Sequence, residues 1–140
     1  MTATMVLLPV FVQAGLTFAL LFWMATLRTS AIRSGQTSFK DIALRQPNWP
    51  ERPTQIANCF SNQFEIPLLF YVLIALALPL RHADLIIVVL SWIFVITRLV
   101  HAWIFVTSNN VRQRSLAWFA GVLAVLIMWI WFAISMLFGV

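Results

Sequence analysis

MVLLPVFVQAGLTFALLFWMATL, Met5 to Leu27, decides the fold. It carries no charged side chain, and Gln13 is its only strongly polar interior residue. At about 1.5 Å of rise per helical residue, a run of this length crosses the ~30 Å of hydrocarbon in a bilayer. It therefore reads as a membrane span. No positive charge precedes it, so the basic start of a cleavable signal peptide is missing and the segment is expected to stay as the first helix.

Three more apolar runs follow, and the expected spans cover about 5–27, 54–80, 84–106 and 111–138. Of 140 residues, 62% are hydrophobic and 9% charged, with a mean hydropathy of +0.94. A soluble domain carries roughly 25% charged residues. So few charges cannot cover a water-facing surface, and lipid must be the solvent for most of this chain. The fold class that follows is an all-α membrane protein, a four-transmembrane-helix bundle making one domain over 1–140, with the lipid bilayer as its first partner.

The connections read differently from one another. Residues 28–54 hold Arg28, Arg33, Lys40, Arg45 and Arg52, and Pro47, Pro50 and Pro53 forbid continuous helix there. Ser38 to Leu44 is expected to form a short helical turn at the membrane interface, with Phe39, Ile42 and Leu44 touching lipid. Asp84 is placed to cap the third span, and Ser108 to Asn110 to cap the fourth. Pro67 lies inside the second span and should remove one backbone hydrogen bond and bend it.

The net charge of +5 reads as orientation rather than nucleic-acid binding, since no basic run exceeds two residues. Seven Lys and Arg flank the spans on one face, five in 28–54 plus two in 107–114, against Arg81 alone on the other. The excess of cations belongs on the cytoplasmic side, which puts both termini on the non-cytoplasmic side. Cys59 is the only cysteine and cannot form an intrachain disulfide. The two histidines, His82 and His101, fall near opposite faces. With no other partner for Cys59, no metal site is expected.

Two charges lie inside spans, Glu65 and Arg98. Each costs ~3 kcal/mol or more if left to lipid, so such groups face a protein interior and find partners. Counted from the cytoplasmic ends, Glu65 is about 16 Å deep on span two and Arg98 about 14 Å deep on span three. The matching levels predict one polar cluster. Asn58, Asn62 and Glu65 share a helix face by spacing, as do Arg98 and His101. Two readings stay open: polar glue between helices, or a ligand or catalytic site. Five polar groups at one level exceed what packing needs. Arg112 and Arg114, beside a helix N-terminus, read as orienting charges or as anion-binding groups.

The run NQFEIP, Asn62 to Pro67, on the second of four spans resembles the MAPEG family, the membrane-associated proteins of eicosanoid and glutathione metabolism. Glu51-Arg52 looks like the Glu-Arg that opens the family pattern. Arg98-Leu-Val-His101 resembles its helix-three arginine followed three residues later by His or Tyr, and Arg112 to Trp118 looks like its basic entry to helix four. The resemblance covers nearly the whole chain.

It implies a homotrimer with sites between subunits on the cytoplasmic side. It also implies glutathione as thiol co-substrate and a transferase or peroxidase acting on a lipophilic small molecule. Arg98 matches the arginine that stabilises the thiolate, and Asn62 and Glu65 match residues that hold the tripeptide. By the same resemblance Asn58, His101, Arg52, Arg112 and Arg114 are candidate lining groups. A bacterial-type member would sit in the inner (cell) membrane as a multi-pass protein. Two departures stand out. Asn58 occupies the position where glutathione-using members carry another arginine, and the spacing from Arg52 to Asn62 is longer than theirs.

Two other functions fit the residues themselves. In a small proton-coupled transporter Glu65 would be the working carboxylate, although Arg98 would then neutralise it. A non-enzymatic scaffold would use the cluster for assembly alone.

Overall fold

The computed structural model describes residues 1–140. The chain is helical throughout, with no strand. Helix α1 is Ala3–Arg33, α2 Phe39–Ile42, α3 Glu51–Asn62, α4 Ile66–Ala77, α5 Leu85–Val106 and α6 Val111–Phe138. Four helical segments are long and apolar enough to cross a membrane: α1, α3 with α4, α5 and α6. The protein is an integral, multi-pass membrane protein.

Each helix end has a local cause. Thr2 caps α1 by accepting from Met5 N–H at 3.3 Å. The Asp84 carboxylate accepts from Ile87 N–H at 3.0 Å at the start of α5. Asn110 accepts from Gln113 N–H at 3.1 Å at the start of α6. Each satisfies one of the donors a helix N-terminus leaves unpaired. Asp84 also accepts from Trp131 Nε1 at 2.7 Å, which ties the start of α5 to the far end of α6. Helix α1 runs two turns beyond the apolar stretch, to Arg33. Its end and the following loop are held by two cation–π contacts. Arg28 lies 4.8 Å from the Trp49 ring centroid and Arg52 lies 5.0 Å from that of Trp23. In the short helix α2, Ser38 N–H donates to the Asp41 carboxylate at 2.9 Å, and Phe39 and Leu44 stand exposed.

Span two departs most from its expected form. It is interrupted, not merely bent, with α3 ending at Asn62 and α4 starting at Ile66. Pro67 has no N–H to give the Gln63 carbonyl four residues back. The three residues before α4 tighten to bonds of three-residue reach: Gln63 N to Phe60 O, Phe64 N to Ser61 O and Glu65 N to Asn62 O.

Helix α5 is the axis of the bundle and packs against α1, α3 and most closely α6. Its buried face runs from Ile87 through Phe94, Arg98 and His101 to Val106. Two apolar cores lie on either side of a polar layer. One joins Val6, Phe70, Leu73, Phe94, Val95 and Met128 toward the 78–84 connection. The other joins Leu20, Ile56, Cys59, Ala102, Phe105 and Val106 toward the basic loops. Lipid tails are as apolar as these side chains, so close packing rather than burial from water holds the helices together.

At Gly121 α6 lies close against α5. A Cβ there would stand 2.9 Å from Thr97 Oγ1 and 3.6 Å from the Phe94 ring. Thr97 cannot easily move, because its hydroxyl donates to Phe94 O at 2.6 Å. Gly121→Ala is expected to lower stability by about 1–3 kcal/mol through overpacking. Adding Thr97→Ala should recover most of that loss. Unfolding in detergent, followed by helical circular dichroism, measures both; an undisturbed single variant would contradict the contact.

Candidate functional site

The polar layer is built where the end of α3 meets the middle of α5. Arg98 is 1% exposed. Its Nη2 donates to Asn62 Oδ1 at 2.5 Å and to the Asn62 carbonyl at 3.4 Å. Asn62 Nδ2 in turn donates to Glu65 Oε2 at 3.1 Å. A guanidinium only donates and a carboxylate only accepts, so the Asn62 amide has one possible orientation: oxygen to Arg98, nitrogen to Glu65. The acid and the base thus meet through an amide rather than as a direct ion pair.

This corrects the expectation that Glu65 and Arg98 lie buried side by side. Glu65 is exposed on the chain. The interruption at 63–65 rotates it off the face that a continuous helix would share with Asn62. Asn58 is likewise exposed and makes no side-chain hydrogen bond in the cluster. Of the five groups placed at one level, the structure links Arg98, Asn62 and Glu65 by hydrogen bonds. His101 lies one turn along α5, 2% exposed, its ring edge-on to Phe105 at 5.6 Å.

Two buried atoms in this layer have no protein partner, Arg98 Nε and His101 Nδ1. Unpaired buried polar atoms are rare and call for an explanation. A cleft of about 290 Å³ opens between α3, α5 and α6, lined by Asn62, His101, Phe105, Arg114, Ser115, Trp118 and Phe119; Arg98 itself does not line it but is bonded to Asn62, which does. A buried cation with a spare donor and an imidazole nitrogen can receive an anionic group, while the Glu65 carboxylate, held through the Asn62 amide, suits a cationic one.

The other arginines are placed differently. Arg114 lies along the cleft, its guanidinium 4.3 Å from the Phe105 ring centroid and bonded to the side chain of Asn109. Arg52 is turned away from the cleft. Its Nη1 donates to the Val106 carbonyl at 2.6 Å and to Gln55 Oε1 at 3.1 Å. Gln55 Nε2 donates to Phe105 O at 2.7 Å. Both side chains satisfy carbonyls at the C-terminus of α5, the negative end of its dipole. Arg112 is exposed and does not line the cleft.

Sequence reasoning missed four participants. Ser115 and Trp118 line the cleft; both lie in the Arg112 to Trp118 stretch read as the entry to helix four, where nothing singles either out as a lining residue. Gln63 and Gln13 are bonded to each other at 2.9 Å and fully buried. Gln13 had a signal, being the one strongly polar residue in an otherwise apolar span. No cluster of three or more His, Cys, Asp or Glu side chains suited to a metal ion occurs.

No curated protein and no solved structure matches the chain. A family model does match it, over residues 6–134, and so takes in all four spans, the interrupted second helix and every member of the polar layer. The chain belongs to the MAPEG family.

Proposed function

We propose that this protein is a membrane enzyme that binds glutathione as a thiol co-substrate and transfers it to, or uses it to reduce, a lipophilic substrate entering from the bilayer. The observation that carries this reading is Arg98, buried to 1%, with an unpaired Nε, held behind the cleft wall by Asn62, which lines the cleft. Only a thiolate attacks an electrophile, and a free thiol ionises near pH 8.5. A cation in a water-poor site favours the thiolate. Each pH unit by which ionisation is eased is worth ~1.4 kcal/mol. Arg98 would face the sulfur, His101 and Ser115 would complete its surroundings, and Arg114 would take a carboxylate. The Glu65 carboxylate would take the ammonium group.

The active form on this reading is a homotrimer. Glu65 and Asn58 are exposed on the chain, and by helical rise Glu65 lies near mid-span, where a carboxylate cannot be left to lipid. A second copy would cover them and close the cleft. The basic loops would lie in the cytoplasm, in a bacterial cell membrane.

Calorimetry on the purified protein tests the thiol. Glutathione is expected to bind in the millimolar range or tighter, and Arg98→Leu is expected to weaken that binding. Silence of the unaltered protein at millimolar glutathione would end this version of the function. One observation favours a second reading, proton-coupled transport: Glu65 makes no direct ion pair with Arg98 and keeps an exposed carboxylate in the membrane. Uptake into vesicles driven by a proton gradient, and lost in Glu65→Gln, would establish transport in place of thiol chemistry.

A further inference from the structure

The interruption in span two is fastened from outside the cleft. In an unbroken helix the Gln63 N–H would donate to the Cys59 carbonyl four residues back. Here that N–H has moved to Phe60 O at 3.0 Å. The Gln63 side chain takes the vacated place, its Nε2 donating to Cys59 O at 3.0 Å. Its Oε1 accepts from Gln13 Nε2, on α1, at 2.9 Å.

Both amides are closed off, Gln13 at 0% and Gln63 at 1% exposure. Gln13 Oε1 has no partner at all. An apolar residue at position 13 would avoid that desolvation cost and suit the surrounding lipid-like core. Helix contact alone therefore does not account for the amide.

Adjacent residues leave a chain on different sides, and the break uses this. Asn62 reaches toward α5 and is gripped by Arg98. Gln63 reaches toward α1 and is gripped by Gln13. The two adjacent residues are held from two helices at once, just before the Gln63 carbonyl that Pro67 leaves without its helical donor. Releasing either grip frees the other residue to rotate.

We propose that Gln13 is a positioning residue: by holding Gln63 it fixes the break in span two that keeps Asn62 against Arg98. Its effect on thiol binding rests on the function proposed above; the clamp itself does not.

The test uses the full chain in nanodiscs with arginine labelled by 15N. The Arg98 guanidinium signal is identified by its loss in Arg98→Lys. In Gln13→Leu it is expected to move to the position seen in Asn62→Ala. Gln13→Met, which keeps the length but has no donor, should do the same and serves if the leucine variant fails to fold. Glutathione affinity should fall about tenfold, the order of one lost buried hydrogen bond. Gln13→Leu should add nothing in a Gln63→Leu background, because the two act through one contact.

An Arg98 signal unmoved by Gln13→Leu or Gln13→Met overturns the proposal, whatever happens to stability. So does full additivity of the two leucine variants in the Arg98 shift. If the signal moves but the unaltered protein binds no glutathione, the clamp stands and the thiol function falls.

Discussion

Arg98→Leu is expected to lower thiol transfer to a lipophilic electrophile by about two to three orders of magnitude, the usual effect of removing one preorganised electrostatic group. Helical content and thermal unfolding should change little, because leucine suits a dry layer better than a charge does. The pH profile carries the mechanism. With Arg98 present, a bound thiol is expected to ionise below its ordinary value near 8.5, and the rate to hold at neutral pH. Removing the cation should shift the thiol's ionisation back up toward its ordinary pH, and the variant's rate should climb as pH rises toward that value. Arg98→Lys keeps the charge and loses the planar fork that reaches Asn62, so it should fall between the two. Stopped-flow absorbance of the thiolate, read from pH 6 to 9 in all three proteins, checks this. A profile unchanged in Arg98→Leu would remove Arg98 from the chemistry.

Asn62→Ala tests the layer as a structure. Arg98 donates to Asn62 Oδ1 at 2.5 Å and otherwise only to the Asn62 carbonyl at 3.4 Å. A hydrogen bond to a charged group is worth about 1.5–3 kcal/mol, and the buried guanidinium left behind bears the desolvation cost. A loss of about 2 kcal/mol in unfolding free energy is expected, together with release of Glu65 from its amide donor. Asn62→Asp separates the two effects. It gives Arg98 a direct ion pair and so should keep stability, but it neutralises the cation and repels Glu65, so thiol activation should still fail. Equal stability of Asn62→Ala and the unaltered protein would show that the 2.5 Å contact does not hold the layer together.

The membrane surroundings explain why this layer sits where it does. Apolar cores above and below it exclude water, which strengthens each polar contact and makes each unpaired atom costly. Arg98 Nε and His101 Nδ1 remain unpaired there, beside a cleft whose lining mixes Arg114 and Ser115 with Trp118 and Phe105. An anionic head with an apolar neighbour suits that mixture.

Several features followed from the residues alone. Uncharged runs such as Met5 to Leu27 require helices in lipid, because only a helix satisfies every backbone group within one segment. Asp84 and Asn110 announced the starts of α5 and α6 because short polar side chains pair with free N–H groups locally. The shared level of Glu65 and Arg98 followed from helical rise, which accumulates at a fixed step per residue whatever the surroundings. Rotation about the helix axis is another matter. The interruption before Pro67 resets it, so spacing could not say that Asn62 faces α5, Gln63 faces α1 and Glu65 faces outward. Nor could it say that Arg52 would be drawn to the end of α5, since several free carbonyls and anions compete for one long cation. Position along each helix was written into the order of residues; partnership across the bundle was decided only when a broken helix was clamped between two others.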